Sequence, residues 1–202
     1  MKSLTWHFVV AVLGAVPAGA AWAQSAPVSA VVEGDAAANT AGRVAVNQAS
    51  GAGNVQANVA AVSTDEARVV SSQFVGRVRS GVSASSRLAG ASFNGAAGLV
   101  SINQASGAGN AQLNVAVIAP TASVVQQQSH HIEPLADSAL SGVAAQSRRQ
   151  DAAPAAEGRQ DASIASTALR NTSGVVQVNQ TAGTGNVVSN VFVLRPPAGT
   201  LF

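Results

Sequence analysis

The chain is organised around a 21-residue segment that occurs three times without a gap. The three copies, called blocks 1, 2 and 3, span Gly42–Val62, Gly98–Ile118 and Gly174–Leu194. Nine of the 21 positions are identical in all three blocks, and two more vary only among branched aliphatic residues. Repeats of this kind are the signature of stacked architectures, in which each unit buries its faces against its neighbours. The repeat therefore constrains the fold more than any other feature of the sequence.

Each block has the pattern of a strand, a turn and a second strand. In block 1, Val44 and Val46 alternate with small or polar residues, which places the valines on one face of a strand. Gly51 and Gly53 then interrupt the alternation, and it resumes up to Val62. If the chain reverses at the glycines, the two apolar faces can meet as a thin layer, with the amide side chains on the opposite faces or at the turn. We therefore predict an all-β fold in which three strand-turn-strand repeats stack as rungs of a β-solenoid or cross-β structure.

The segments between the blocks are long, with 35 residues at 63–97 and 55 residues at 119–173. Unstructured connections of this length are uncommon in compact domains, so we interpret both as linkers that are disordered or partly helical. Residues 147–162 are polar, with Pro and mixed charges, and Glu66–Leu88 is a candidate transient helix. The predicted plan is a signal peptide at 1–23, a disordered arm at 24–41, repeats at 42–62, 98–118 and 174–194, linkers at 63–97 and 119–173, and a tail at 195–202.

Charge is almost excluded from the blocks. Of the 19 charged residues that follow residue 23, 18 lie outside the blocks, and Arg43 is the exception. Like charges stacked at the strand spacing of about 4.8 Å would repel each other, whereas neutral amides can form hydrogen-bonded ladders along a stack. The blocks repeat both these amides and the turn glycines, so we predict that they direct self-assembly. These residues are Asn47, Gln48, Gly51, Gly53, Asn54 and Asn58 in block 1, Asn103, Gln104, Gly107, Gly109, Asn110 and Asn114 in block 2, and Asn179, Gln180, Gly183, Gly185, Asn186 and Asn190 in block 3.

The first residues have the form of an export signal. Lys2 is followed by an apolar run at 8–16 and by Ala21-Trp22-Ala23, a small-x-small site for signal peptidase. The run is shorter than the ~20 residues of a spanning helix, so we expect cleavage after Ala23, secretion, and no integral membrane segment in the mature chain. The net charge of +2 comes without a basic stripe, which argues against nucleic acid as a partner.

The sequence offers no constellation for catalysis, cofactors or metals. It has no Cys, which excludes disulfides, Cys-based zinc sites and thiol nucleophiles. His130 and His131 lie near Glu133 but lack further ligands, so a metal site is disfavoured. We find no serine-nucleophile motif and no phosphate-binding loop. We therefore expect neither an enzyme nor a cofactor-binding protein.

The ends of a three-rung stack suggest the function. Open strand edges are normally protected by Pro, Lys or a capping element, and the blocks contain none of these. The last rung of one molecule could therefore template the first rung of another. Two alternatives remain: a secreted β-repeat adhesin that folds as a monomer, and an accessory periplasmic protein of a fibre-secretion system.

The pattern G-x-V-x-V/I-N-Q-x-x-G-x-G-N-x-x-x-N resembles the repeat of the Fap functional amyloids, the FapC and FapB type fibre subunits of bacterial biofilm. The leader, three imperfect repeats and two unequal linkers are also similar to that family. A more distant resemblance is to curlin repeats, in which the glutamine and the glycine lie one residue closer. The Fap resemblance implies a secreted extracellular amyloid fibre that supports biofilm formation, cell aggregation and surface adhesion. As partners it implies the chain itself, other fibre subunits, a periplasmic chaperone and an outer-membrane export pore. The chain lacks the C-terminal Cys-x-x-Cys typical of the major Fap subunit, so the resemblance leaves open whether it is a major subunit, a nucleator or a divergent relative.

Overall fold

The computed structural model describes residues 7–12, 27–76, 83–130 and 158–197, and every helix or strand assigned within these ranges is a β-strand. The prediction of an all-β fold is confirmed. The strands are β1 His7–Val12, β2 Val28–Val32, β3 Ala41–Ser50, β4 Val55–Val62, β5 Glu66–Val75, β6 Ala84–Leu88, β7 Ala97–Ala108, β8 Ala111–Ile118, β9 Thr121–His130, β10 Gln160–Ile164, β11 Ser173–Thr184 and β12 Val187–Leu194. Among the described residues, no helix is long and apolar enough to cross a membrane.

The strands form four parallel sheets, each with three strands. We call them the first sheet (β1-β5-β9), the second (β10-β6-β2), the third (β11-β7-β3) and the fourth (β12-β8-β4). The chain visits the four sheets in the same order three times. We call each pass a rung, so that β1–β4 form rung 1, β5–β8 rung 2 and β9–β12 rung 3.

The register aligns the three blocks position by position. Gly42 and Gly174 both pair with Gly98 in the third sheet, and Val62 and Leu194 both pair with Ile118 in the fourth. Parallel in-register pairing places identical residues directly above one another along the stack. Residues that are identical between the blocks but lie far apart in the sequence are thus direct neighbours in space.

The prediction of disordered or helical linkers is wrong where the structure describes them. The predicted arm contains β2, the first linker contains β5 and β6 instead of a helix at Glu66–Leu88, and the second linker contains β9 and β10. In β5, buried residues such as Val69 and Gln73 alternate with exposed ones such as Glu66 and Arg68. The charges therefore lie on the outer face of a regular strand, where water solvates them. Most of 147–162 lies outside the described residues, but its last positions belong to β10.

The apolar faces of each block do not meet each other, contrary to the expectation of a thin apolar layer within the block. Val59, Leu113 and Val115 of the fourth sheet pack on Val69 of the first. On the other side, Val100 and Ile102 of the third sheet pack with Leu88 of the second and with Phe93 in the turn after it. The segments interpreted as linkers therefore supply the cover for the apolar faces of the blocks. The two strands of each block instead face each other through their amide side chains.

Candidate functional site: amide ladders and the ends of the stack

A double ladder of asparagines fills the space between the third and fourth sheets. Along the third sheet, Asn103 Nδ2 donates to Asn47 Oδ1 at 3.0 Å, and Asn179 Nδ2 donates to Asn103 Oδ1 at 2.9 Å. Along the fourth sheet, Asn114 Nδ2 donates to Asn58 Oδ1 at 2.9 Å, and Asn190 Nδ2 donates to Asn114 Oδ1 at 3.1 Å. The two sets also bond to each other, as in the 3.0 Å bond from Asn114 Nδ2 to Asn103 Oδ1.

Burial makes these bonds important. Asn103 and Asn114 are both fully buried, and an amide in that position would be costly without partners. Asn103 Nδ2 has acceptors in Asn47, Asn58 and the carbonyl of Ala57, so its donors have partners. A buried and connected polar network fixes strand register, because a slip by one residue would leave its members unpaired.

The glutamines form a separate ladder on the opposite face of the third sheet. Gln104 Nε2 donates to Gln48 Oε1 at 3.0 Å, and Gln180 Nε2 donates to Gln104 Oε1 at 2.8 Å. The other proton of each amide is donated to the second sheet. Gln48 Nε2 donates to the carbonyl of Arg87, and Gln104 Nε2 donates to that of Ser163. This ladder therefore ties two sheets together as well as successive rungs.

The turn between the two strands of each block carries a third ladder. Asn110 Nδ2 donates to Asn54 Oδ1 at 2.9 Å, and Asn186 Nδ2 donates to Asn110 Oδ1 at 2.8 Å. The backbone N–H groups of Asn110 and Asn186 bond to the same oxygens. Asn54 Oδ1 and Asn110 Oδ1 thus each accept two hydrogen bonds from the following rung.

The turn glycines are required by both conformation and space. Gly51 and Gly107 have φ of 106° and 119°, in a region that L side chains rarely adopt. A Cβ added at Gly51 would collide with the carbonyl oxygen of Gly107, and one added at Gly107 would collide with that of Gly183. Gly53, Gly109 and Gly185 also have positive φ, from 64° to 72°. Close stacking of the turns therefore depends on the absence of side chains.

A further set of glutamines, which was not predicted from the sequence, bonds in the same interior. Gln56 Nε2 donates to Gln112 Oε1 at 2.6 Å, and Gln112 Nε2 donates to the carbonyl of Gln104 at 2.8 Å. Gln73 of β5 donates to the carbonyl of Gln112 at 3.1 Å. Identity across all three blocks could not reveal this position, because block 3 has Val188 there. Identity between blocks 1 and 2 was the signal that could have found it.

The charged residues that lie within strands are each aligned with neutral residues. Arg43 pairs with Leu99, which pairs with Val175, and Glu66 pairs with Thr121. Arg87 and Asp161 likewise pair only with Ser and Val, and Arg68 pairs with Ser123 on one side and His7 on the other. The stack therefore avoids like-charge contacts even in the segments where charges occur.

The ladders have a direction. In the Asn47, Asn58, Gln48 and Asn54 ladders, the bond between equivalent positions runs from a nitrogen in the later rung to an oxygen in the earlier one. The bond from Gln56 Nε2 to Gln112 Oε1 runs the other way. Backbone carbonyls accept from the same nitrogens, for example Leu113 O from Asn179 Nδ2 at 3.0 Å, and so fix the amide orientation.

The two ends of the stack are therefore chemically different. At the rung 3 end, Asn179 Oδ1 is buried and has no hydrogen-bond partner among the described residues. At the rung 1 end, Asn47 Nδ2 has only a long 3.5 Å bond to the carbonyl of Gln56. One end thus offers an unpaired acceptor, and the other offers a weakly bonded donor at the equivalent position.

No metal centre is visible in the described part of the chain, where no three His, Cys, Asp or Glu residues cluster. His131 and Glu133 lie outside the described residues, so the structure does not bear on that pair.

A family model of the functional amyloid protein FapB/FapC family matches residues 15–197, which is most of the chain. No solved structure matches it. The chain belongs to the FapB/FapC family of functional amyloid proteins, a family of structural amyloid subunits.

Proposed function

We propose that this chain is a secreted structural subunit that self-assembles into extracellular amyloid fibres, which support biofilm formation and surface adhesion. The observation that carries the proposal is the unpaired, buried Asn179 Oδ1 at one end of the stack, opposite in character to the Asn47 donor at the other. A buried acceptor without a partner costs about 1–3 kcal/mol, and a second copy would remove that cost.

Assembly in this proposal is head to tail. Rung 1 of one copy lies on rung 3 of the next, in the register that already relates rungs within the chain. Asn47 Nδ2 of the first copy then reaches Asn179 Oδ1 of the next. The second proton of Gln180 Nε2 in that next copy reaches the carbonyl of Val31 in the first copy. The carbonyl of Val31 aligns with those that accept from Gln48 and Gln104 within the chain. Each contact repeats one that already exists between rungs.

The edges of the stack are open to this contact. Four prolines fall in the described residues, and none lies inside a strand. An edge strand without Pro or Lys presents a full row of backbone donors and acceptors to another chain. Three-rung stacks of this kind extend by the same backbone hydrogen bonds that hold their own rungs together.

The domain plan follows from the same proposal. The three repeats at 42–62, 98–118 and 174–194 form the stacked core, and the segments between them contribute strands that cover it. The signal peptide at 1–23 is removed on export and takes β1 with it, which frees one edge of β5. A periplasmic chaperone, an outer-membrane pore and other fibre subunits are partners implied by the family. The core residues are neutral and small, which suits a structural role and no catalytic one.

The test begins with denatured residues 24–202 diluted into buffer, with and without fibre seeds. Thioflavin fluorescence should show a lag that seeds abolish, and the product should diffract near about 4.7 and 10 Å. A chain that folds without a lag and remains a soluble monomer would refute the proposal and favour the monomeric adhesin or the accessory protein.

A cross-linking test addresses the head-to-tail geometry. Arg43 and Val175 align with the same residue, Leu99, so the proposal places position 43 of one copy beside position 175 of the next. Because the chain has no native Cys, chains carrying Arg43→Cys can be mixed with chains carrying Val175→Cys and oxidised after assembly. Neighbouring strands lie about 4.8 Å apart, within the Cα range of a disulfide. The mixture should give cross-linked dimers and each variant alone should not; dimers from one variant alone would mean a head-to-head or tail-to-tail arrangement.

A further inference from the structure

The one charged residue of the three blocks, Arg43, lies on an end rung of the stack. The aligned positions in rungs 2 and 3 carry Leu99 and Val175. The Arg43 side chain reaches across from β3 to β4, where Nη2 donates to the backbone carbonyl of Asn58 at 2.8 Å. Leucine and valine cannot make this bond, so it belongs to rung 1 alone.

The carbonyl of Asn58 lies on the free edge of the fourth sheet. At the two ends of β4, the N–H groups of Val55 and Ser63 donate to rung 2. Because the N–H groups of alternate residues in a strand point the same way, that of Val59 also points to rung 2. The carbonyl of Asn58 belongs to the same trans peptide group as this N–H, so it points the opposite way. Among the described strands, β4 pairs only with β8, so no strand lies on that side.

The carbonyls at the same position in the other rungs are bonded by backbone. Each N–H of this kind donates to the carbonyl one position earlier in the following rung, as in the 2.8 Å bond from Val55 N to Asn110 O. The N–H of Val59 therefore donates to the carbonyl of Asn114, the residue that aligns with Asn58. The same offset holds between rungs 2 and 3. Rung 1 has no preceding rung, and the guanidinium takes the place of the missing N–H.

We propose that Arg43 caps the rung 1 edge and that an adding copy must displace this cap. The inference rests on the proposed function. In head-to-tail stacking, rung 3 of the next copy becomes the preceding rung, and its Val191 aligns with Val59. The N–H of Val191 then takes the carbonyl of Asn58. The guanidinium occupies the space that this strand needs, so Arg43 leaves before β12 of the next copy can pair.

The cap makes the two ends of a fibre grow at different rates. A fibre end that presents rung 1 carries a folded chain with the Arg43 bond in place, and each addition there must break this bond. At the opposite end rung 3 is the template, and Arg43 arrives with an incoming chain that has not yet folded. The rung 3 end is therefore the faster end, and the difference depends on Arg43.

The spacing of Arg43 in the fibre keeps its charge tolerable once the cap is released. Successive copies place one Arg43 every three rungs, or about 14 Å apart at about 4.8 Å per rung. This distance exceeds the Debye length of about 8 Å at physiological ionic strength, so the exposed guanidinium groups are largely screened from each other. A charge on one rung in three thus slows addition without opposing the assembled fibre.

A second arginine makes the same kind of bond at the other end of the stack. Arg195 Nη2 donates to the carbonyl of Ala122 at 2.9 Å. Because the N–H of Thr121 donates to rung 2, that of Ser123 points there too, and the carbonyl of Ala122 points to the free edge of β9. In residues 24–202 the first sheet has no rung 1 strand, since β1 lies at His7–Val12. No described strand of a stacked copy therefore competes for this carbonyl.

Growth of single fibres tests the cap. Arg43→Ala and Arg195→Ala are each introduced into residues 24–202, for both seeds and added chains. Both changes remove one charge and one bond to an edge carbonyl, but only the Arg43 bond competes with an incoming strand. Seeds of one dye colour, elongated with chains of another, show the growth of each end by fluorescence microscopy. Arg43→Ala should speed the slower end about two- to tenfold, the factor that one hydrogen bond contributes, and Arg195→Ala should change neither end.

The soluble concentration in equilibrium with fibres separates a cap from a weak interface. Every addition at the rung 1 end removes one Arg43 bond and creates another, so this bond cancels from the equilibrium. Arg43→Ala should therefore speed growth without lowering the soluble concentration. A soluble concentration that falls by the same factor would mean that Arg43 weakens the assembled interface, and would overturn the cap. Equal growth of both ends in the parent, or equal effects of the two variants, would overturn it as well.

Failure of the proposed function gives a different result. If the parent chain sediments as a monomer and never assembles, the proposed function is refuted. Arg43→Ala should then still associate, because its rung 1 edge is open, while Arg195→Ala stays monomeric. Association of Arg43→Ala alone would leave this inference standing, and association of neither variant would refute it together with the proposed function.

Discussion

Changing Asn103 to Asp tests whether the amide ladder holds the stack together. Asn103 is fully buried in the middle rung, and its nitrogen donates to Asn47 Oδ1, to Asn58 Oδ1 and to the carbonyl of Ala57 at 2.8–3.1 Å. Asn103→Asp keeps the shape but removes both amide protons. The hydrogen bonds made by these two protons are lost, which costs about 1–3 kcal/mol at about 0.5–1.5 kcal/mol each, because Asn47 Oδ1 and Asn58 Oδ1 each keep a second donor. A carboxylate facing three oxygens adds to that loss.

The same substitution should make assembly depend on pH. Burial and the neighbouring oxygens disfavour the charged form, so the pKa of the new carboxyl in the stack lies above its unfolded value of about 3.9. The unfolded chain then loses the proton first as pH rises, and the penalty from ionisation grows above that value. Below about pH 4 both states are protonated, and this part of the penalty disappears.

The assay is seeded thioflavin kinetics with urea dissociation of the fibres, from pH 3 to pH 8. We expect Asn103→Asp to assemble poorly at pH 7 and to recover in part at pH 3. Asn171→Asp is the matched control, because Asn171 is an exposed turn residue with a single side-chain bond, to Asn94. If Asn103→Asp at pH 7 matched the parent and Asn171→Asp in rate and urea resistance, the amide ladder would not be a source of stability.

Three further predictions concern the turn, the core and the longest connection. Gly107→Ala should block assembly, because its φ is 119° and a Cβ would collide with the carbonyl of Gly183; Gly76→Ala, where nothing lies within 4 Å, is the control in the same seeding assay. Phe93→Ala should lower the free energy of unfolding by about 3–5 kcal/mol, because Phe93 is 1% exposed, and urea dissociation measures this loss. Deleting the twenty residues 134–153 should leave seeded growth intact. Paired residues in the second sheet are 76 positions apart between β6 and β10 but 56 apart between β2 and β6, a difference of 20. After the deletion, nine residues connect β9 to β10, close to the eight that connect β5 to β6. Loss of growth in that variant would mean that this connection is part of the core.

The amide positions could be predicted because they are identical in all three blocks. Asn47 and its copies needed only the repeat and the rule that stacked strands favour neutral amides. Gln73 could not be found in this way, since it lies outside the blocks and acts on the carbonyl of Gln112. Its role depends on which strand packs beside the block, which a comparison of the blocks does not contain.

The linkers were misinterpreted for a related reason. The pattern of Glu66–Leu88 suggested a transient helix, but Glu66 and Arg68 occupy the outer face of β5, while Val69 and Gln73 on the inner face are buried. Composition averages over the two faces of a strand, so a strand with one charged face and one small apolar face resembles a disordered segment. Only the alternation within it separates the two, and in 63–97 it is interrupted by turns.

The sequence by itself determined the strand class, the positions that stack and the need for glycine at the turns, because each of these follows from a repeated local pattern. The tertiary structure decided which faces meet. The amide faces of the blocks pack on each other, and the segments between the blocks cover the apolar faces. The physical reason is that hydrophobic burial is not directional, so a valine face can be covered by any apolar strand. Amide hydrogen bonds require specific partners at fixed distances, and Asn47 and Asn58 can supply these for each other.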